Sequence, residues 1–399
     1  MIDLPGGGRE AAPEWRKPGW LARVGAHLGS GRRVFPSIEQ RLIDAQMRPS
    51  GFDYMRFGLA LSVIFFHSLE FSSRTPALWI LTHRPFNVWD ISIVPMFFTL
   101  SGFLVAGSLD RARSLLDFIG FRVLRIFPAL ALDTLLSATI FGAALTTLPL
   151  HAYFQSPVFR AYFLNMFGGI HYFLPGVFVK NPYQFVNIQL WTIPYELSCY
   201  LMLLGLSLAG IYRRRAIFLA VSLLLILFFQ AWLPLLSIKD YRHGLVATSF
   251  LGGVAMHLYR DRIPWSPWIF LLSLVAMAAA AAIPHMVQYL PIPLAYATIF
   301  LGTFNPKRVW PINGGDYSYG MYLYGFPIAQ ALIATLPAAR IWYVNFVLTT
   351  LATGGVALLS WRFVEKKCLA LKPKLFAFNA QLLKLRPRGV TSSQPARSE

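Results

Sequence analysis

Ten apolar stretches, each near the length of a bilayer-crossing helix, occupy most of this chain. They run over approximately 53–70, 89–108, 127–147, 187–209, 216–236, 243–258, 267–283, 288–304, 316–336 and 341–361. About 20 apolar residues wound as a helix cross the hydrocarbon of a membrane. Inside lipid every backbone N–H and C=O must find a partner within the protein, so a spanning segment is a helix or part of a closed barrel. Continuous apolarity over this length, without strict alternation, selects the helix. The sequence therefore predicts an all-α, polytopic transmembrane helical bundle of about ten spans. Pro284, Pro291 and Pro293 crowd the connection between the seventh and eighth.

The charges orient such a bundle. Only 13% of the 399 residues are charged and 56% are hydrophobic, whereas soluble domains carry roughly a quarter charged residues. The net charge of +19 comes from basic residues in short connections between apolar runs. That pattern speaks for orientation in a membrane and against a nucleic-acid partner. With the N-terminus inside, the inner segments hold 28 basic residues and the outer loops seven, with Arg56 left within the first span. The excess predicts both termini in the cytoplasm and a multi-pass protein of the bacterial inner (cytoplasmic) membrane. Residues 1–50 read as a basic, flexible cytoplasmic tail without a signal peptide, 51–370 as the transmembrane domain, and 371–399 as a second basic cytoplasmic tail. The two cysteines, Cys199 and Cys368, lie in opposite environments. No metal-ligand spacing occurs, and no permanently bound cofactor is expected.

The connection 148–186 is long, outside and rich in aromatics, among them Tyr153, Tyr162, Tyr172, Tyr183 and Phe185. A solvated loop is not composed this way. It folds back on the membrane surface or caps a cavity, either as an interfacial aromatic belt or as a lid that meets sugar rings.

Ionisable groups within apolar runs are costly and mark function unless a partner or headgroup explains them. Arg56 and His67 lie 11 residues apart in the first stretch, about 16 Å along one helix face. Arg56 either snorkels to headgroups or holds a phosphate. His67 is either a packing histidine or a general base that activates a hydroxyl. Ser101-Gly102 fits close helix packing through small residues. Arg122 and Arg125 share a helix face at the inner mouth, as topology markers or as a clamp for an anionic ligand. Glu196 follows Trp191 and Pro194 in the fourth stretch, either ion-paired or orienting a catalytic group. Asp133 is placed to pair with an arginine. Asp316 reads as a helix start signal, and Tyr319, Tyr322 and Tyr324 line a cavity or a helix interface.

Together these pieces resemble acyltransferase family 3, membrane proteins that O-acylate bacterial surface polysaccharides. The matching segments are Arg56 with His67, Pro95 to Phe103, Arg122-Val-Leu-Arg125, Leu190-Trp-Thr-Ile-Pro-Tyr-Glu196, Ser318 to Leu323, and Arg362-Phe-Val-Glu365. The resemblance covers residues 50–370. It implies that His67 and Arg56 are essential for transfer; Glu196 is the third catalytic candidate, read from its place in an apolar run. It implies an acyl-coenzyme A donor, acetyl-CoA first, whose nucleotide meets Arg122 and Arg125. The implied acceptor is a glycan or lipid-linked saccharide touching Trp191, Tyr195 and Tyr319, with membrane lipid as the other partner. Two departures concern the acceptor side: Gly325 stands near a histidine frequent in the family, and Asn187-Ile-Gln189 replaces Asn-Gly-Ser. The rival reading from another class is a transporter or flippase, since buried Arg, His and Glu also suit a proton-coupled carrier. No internal repeat of the kind many carriers show is visible.

Overall fold

The computed structural model describes residues 35–71, 76–83, 86–235, 242–283 and 286–385. The basic stretch before residue 35, the tail beyond 385, and Arg74, Arg84, Lys239 and Pro284 lie outside these ranges. The described chain is all-α. Its β content is two isolated bridges, Ser37 with Pro264 and Thr146 with Val177.

Ten principal helices follow the ten apolar stretches in order. They are α1 (Gly51–Phe71), α2 (Val88–Arg111), α3 (Leu115–Leu135), α4 (Thr192–Leu208) and α5 (Arg215–Leu235). Then come α6 (Arg242–Leu258), α7 (Pro267–Ala282), α8 (Pro291–Gly302), α9 (Ser318–Thr335) and α10 (Trp342–Ser360). The third begins well before its apolar stretch, because Ser114 caps it: its hydroxyl accepts from the Asp117 amide at 3.1 Å. It carries Asp117, Arg122 and Arg125 in its first turns, where hydropathy gives no signal. It then runs through a π turn, Leu136–Phe141, into Gly142–Leu145. The fourth starts later than expected, after a 3-10 turn over Ile188–Trp191. Pro194 sits in its first turn, where the missing N–H is tolerated.

Among the described residues two helices are both long and apolar enough to cross a membrane, Val88–Arg111 and the continuous run Trp342–Asn379. Other helices are shorter or less apolar, as α1 is with Asp53, Arg56 and Glu70. The outward faces of several are nonetheless bare of cover. Leu201 and Leu208 of α4, Leu224 of α5, Trp268, Leu272 and Val275 of α7, and Leu351 of α10 are 64–72% exposed. Apolar surface on this scale marks a face made for a partner or for lipid.

Backbone proximity locks α2 to α6. A Cβ added at Gly102 would fall on the Phe250 carbonyl, and one at Gly253 on the Thr99 carbonyl. Thr99 donates its hydroxyl across the same seam to Ser249 O at 3.2 Å. Small residues permit this approach, as in membrane helix pairs generally, so the packing reading of Ser101-Gly102 holds. A buried amide joins three more helices. Asn345 of α10 accepts from Ser68 of α1 at 2.9 Å and donates to Ala329 O of α9 at 3.4 Å.

The 148–186 connection is folded rather than solvated. Tyr153 and Tyr162 are fully buried, and the Tyr153 hydroxyl donates to Ala138 O at 2.6 Å. Gln330 of α9 donates to Tyr183 O and Phe185 O at 2.8 and 2.9 Å. It also accepts from Asn181 at 2.9 Å. The described parts of the two expected tails are docked as well. The helix Ile38–Asp44, capped by Ser37, bonds through Ile38 N to Ile263 O at 3.0 Å and sets Arg41 over Trp265. The helix Lys372–Leu385 bonds through Asn379 to Asp117 of α3 at 2.7 Å.

Overpacking a tight seam costs about 1–3 kcal/mol. Gly253→Ala is therefore expected to lower the thermal midpoint of the detergent-purified protein. Gly58→Ala, where an added Cβ meets nothing within 4 Å, should hold or raise it. Equal midpoints for the two variants in a tryptophan-fluorescence melt would contradict the seam.

Candidate active site

The first helix carries a functional group near each end, and each end belongs to a different cluster. Near its C-terminal end, His67 lines a cavity of about 480 Å³, within the roughly 300–1,000 Å³ of typical ligand sites. Glu70 of α1, Asp90 and Pro95 of α2, Gln189 and Trp191 before α4, and Tyr322 and Phe326 of α9 share the lining. The aromatic connection closes it with Tyr172, Tyr183 and Phe185, so this connection caps a cavity.

His67 is held on several sides. Its ring meets Phe326 edge-on at 4.9 Å and stacks on Phe71 at 6.3 Å. Its Nδ1 lies 3.0 Å from Glu70 Oε2. The acid expected to orient it, Glu196, is elsewhere: it accepts a short hydrogen bond from the Tyr200 hydroxyl. Glu70 fills that place because residues three apart share a helix face.

Near the N-terminal end of α1, Arg56 Nη1 approaches Asp316 Oδ2 at 3.3 Å. Arg125 of α3 reaches the same oxygen at 2.5 Å, and Ser318 donates to Oδ1 at 2.6 Å. Asp316 is thus the shared counter-ion of two arginines. The expectation that it caps the ninth helix fails, because Tyr317 is the cap residue and gives no side-chain cap bond. Arg125 also lies over the Tyr319 ring at 5.8 Å. Tyr319 donates to Ile126 O at 3.2 Å, which puts it in the arginine cluster. It is absent from the described lining of the cavity, where Tyr322 stands.

The two arginines of the Arg-x-x-Arg segment differ. Arg125 is ion-paired, whereas Arg122 sits over the rings of Phe118 and Tyr200, each at 5.6 Å. Its Nε is buried without a hydrogen-bond partner among the described residues. Trp191 lines the cavity, and Tyr195 backs it with ring centroids 5.8 Å apart. Asp133 is fully buried and accepts from Asn187 at 2.7 Å, so its partner is an amide rather than an arginine. Gln189, at a departure from the family motif, donates to Leu323 O while its Oε1 is buried without a partner. The described residues contain no group of acids, histidines or cysteines able to hold a metal.

Residues 50–364 match the family model for an acyltransferase domain, that of acyltransferase family 3. The chain belongs to this family. This acyltransferase is 28% identical over 340 residues to a protein of Shigella phage Sf6 named O-acetyl transferase, covering 81% of this chain and 97% of the relative. It is 26% identical over 373 residues to nodulation protein 10 of Rhizobium leguminosarum bv. viciae, covering 82% and 95%. No solved structure matches it. Glu70 and Asp316 are the site residues that motif reading passed over. Glu70 was visible as an acid three residues beyond His67, and Asp316 as an acid beside an apolar run that also faces two unbalanced arginines.

Sharing one carboxylate couples Arg56 to Arg125. Removing Asp316 strands two guanidiniums. The expected cost is below the roughly 3–5 kcal/mol of a fully buried broken pair, because these side chains are about a quarter exposed. Asp316→Asn should lower the thermal midpoint, and Arg56→Gln added to it should cost much less than in the native background. Strict additivity in that double-mutant cycle would show that the pair is uncoupled.

Proposed function

We propose that this acyltransferase is a multi-pass protein of the bacterial inner membrane. It moves an acyl group from acyl-coenzyme A to a hydroxyl of a cell-surface or exopolysaccharide glycan, or of its lipid-linked precursor. The observation that carries the reading is a histidine held by a carboxylate inside an aromatic-walled cavity. Aromatic faces with a few fixed polar groups suit a sugar ring, and the imidazole suits a hydroxyl proton. The name of the phage relative favours acetyl as the group. The bare apolar faces and the 28-to-seven charge asymmetry support ten spans with both ends cytoplasmic.

The donor's nucleotide is anionic. Arg122 makes no ion pair among the described residues and keeps a buried, unpartnered Nε, which suits it to meet those phosphates. Arg125 and Arg56 hold the neighbouring wall through Asp316. The acyl arm passes along α1 for about 16 Å to reach His67. The Nε2 lone pair of His67 takes the proton of the acceptor hydroxyl as its oxygen bonds to the thioester carbonyl carbon. The carbon–sulfur bond then breaks, and the departing thiolate takes the proton from Nε2–H. The products are the O-acyl glycan and free coenzyme A, with His67 restored. Trp191 offers the acceptor a stacking face. Glu196, tied to Tyr200, acts from the arginine side rather than on the imidazole.

A transporter moves its cargo without consuming thioester, so one assay separates the readings. Protein in nanodiscs is supplied with acetyl-CoA and an envelope glycan extract, and free thiol is measured. His67→Ala should lose about 10²- to 10⁴-fold in rate at unchanged stability. Arg122→Ala should raise the KM for the thioester roughly tenfold or more. Native turnover in His67→Ala would remove the base from the mechanism, and no turnover with any acyl-CoA would leave the donor assignment without support.

A further inference from the structure

We propose that Glu70 is the positioning residue that fixes His67 in its reactive tautomer. This rests on the reading of His67 as the base. A carboxylate only accepts hydrogen bonds, so the 3.0 Å contact between Glu70 Oε2 and His67 Nδ1 is a bond when the proton sits on Nδ1. The other nitrogen, Nε2, is then left with its lone pair. It has no partner among the described residues, and it belongs to a ring that lines the cavity.

The surroundings favour a built arrangement over a chance pair on a helix surface. The imidazole plane is set by Phe326 and Phe71, so turning the ring over is sterically opposed. Glu70 lines the same cavity as His67. The Tyr183 ring, 6.0 Å from Phe71, closes over this end of α1. Its backbone is fixed by Gln330, which keeps the wall beside Glu70 in place. Helical spacing contributes the rest: with Glu70 one turn beyond His67, the two side chains meet without any long-range adjustment. The fork of aromatics supplies the angle of the ring, and the carboxylate supplies which nitrogen is bare. When His67 takes the acceptor's proton at Nε2, the same carboxylate faces the positive ring and stabilises it, as the aspartate of a serine hydrolase triad does.

The test uses the full-length protein in nanodiscs and compares native, Glu70→Gln, Glu70→Asp and His67→Gln. The amide of Glu70→Gln can donate as well as accept, so it ceases to dictate the tautomer. Thioester turnover should show a kcat lowered at least about tenfold, with KM for donor and acceptor unchanged, and Glu70→Asp should recover part of it. Nitrogen-15 spectra of histidine-labelled protein, with His67→Gln assigning the resonance, should show the Nδ1–H form in the native protein and a mixture in Glu70→Gln. Glu70 is 41% exposed at its side chain, so folding should survive the change, and a thermal melt checks that. A Glu70→Gln variant with native kcat, or with its His67 resonance unmoved, overturns this proposal alone. A His67→Gln variant that still turns over overturns the base reading beneath it.

Discussion

Two guanidiniums from different helices converge on one carboxylate, and the rest of the arrangement depends on that meeting. Arg56 comes from α1 and Arg125 from α3, while Asp316 lies just before α9. Away from bulk water an uncompensated charge costs far more than a lost surface contact. The three elements are therefore held together by what each would suffer alone. α1 is the helix that also carries His67, so the ion cluster fixes the axial position of the imidazole. The buried amide of Asn345 repeats the tie at the other end, where Ser68 lies beside His67. Between these two anchors α1 can neither slide nor rotate without breaking a polar bond.

Burial of polar groups also explains the 148–186 connection. A segment of irregular backbone packed away from water must have its N–H and C=O groups satisfied by protein. Gln330 does this for Tyr183 and Phe185, and Asn165 for His171. Tyr172, Tyr183 and Phe185 then turn inward as walls of the cavity, while Phe154, Phe167 and Phe173 stay exposed.

The helices were legible in the sequence because apolarity is a local property. Nine of the ten principal helices lie where hydropathy puts them, to within several residues. α3 starts early at its Ser114 cap, and its first turns hold Asp117 and Arg125, whose cost is met by Asn379 and Asp316 from distant parts of the chain. Candidate residues stood out where ionisable groups recur in one apolar run, as with Arg56 and His67. They did not where the partner is remote. Asp316 follows Arg125 by 191 positions, and nothing in its own neighbourhood separates a helix cap from a counter-ion. Glu196 shows the converse, since an acid in an apolar run suggests a remote partner, while its hydroxyl partner, Tyr200, lies one turn away. Glu70 was close enough to see, but it stands at the end of an apolar stretch, where acids are common.

α9 touches both levels of the molecule. Its leading edge carries Asp316 and Ser318 against the arginines. Its middle supplies Tyr322 and Phe326 to the cavity, and its far part grips the 148–186 connection through Gln330. In mechanical terms it is a connecting rod, and roof, wall and ion cluster ride on a single shaft. A displacement of that rod on one side of the protein changes the shape of the cavity on the other, with no loop required to carry the message.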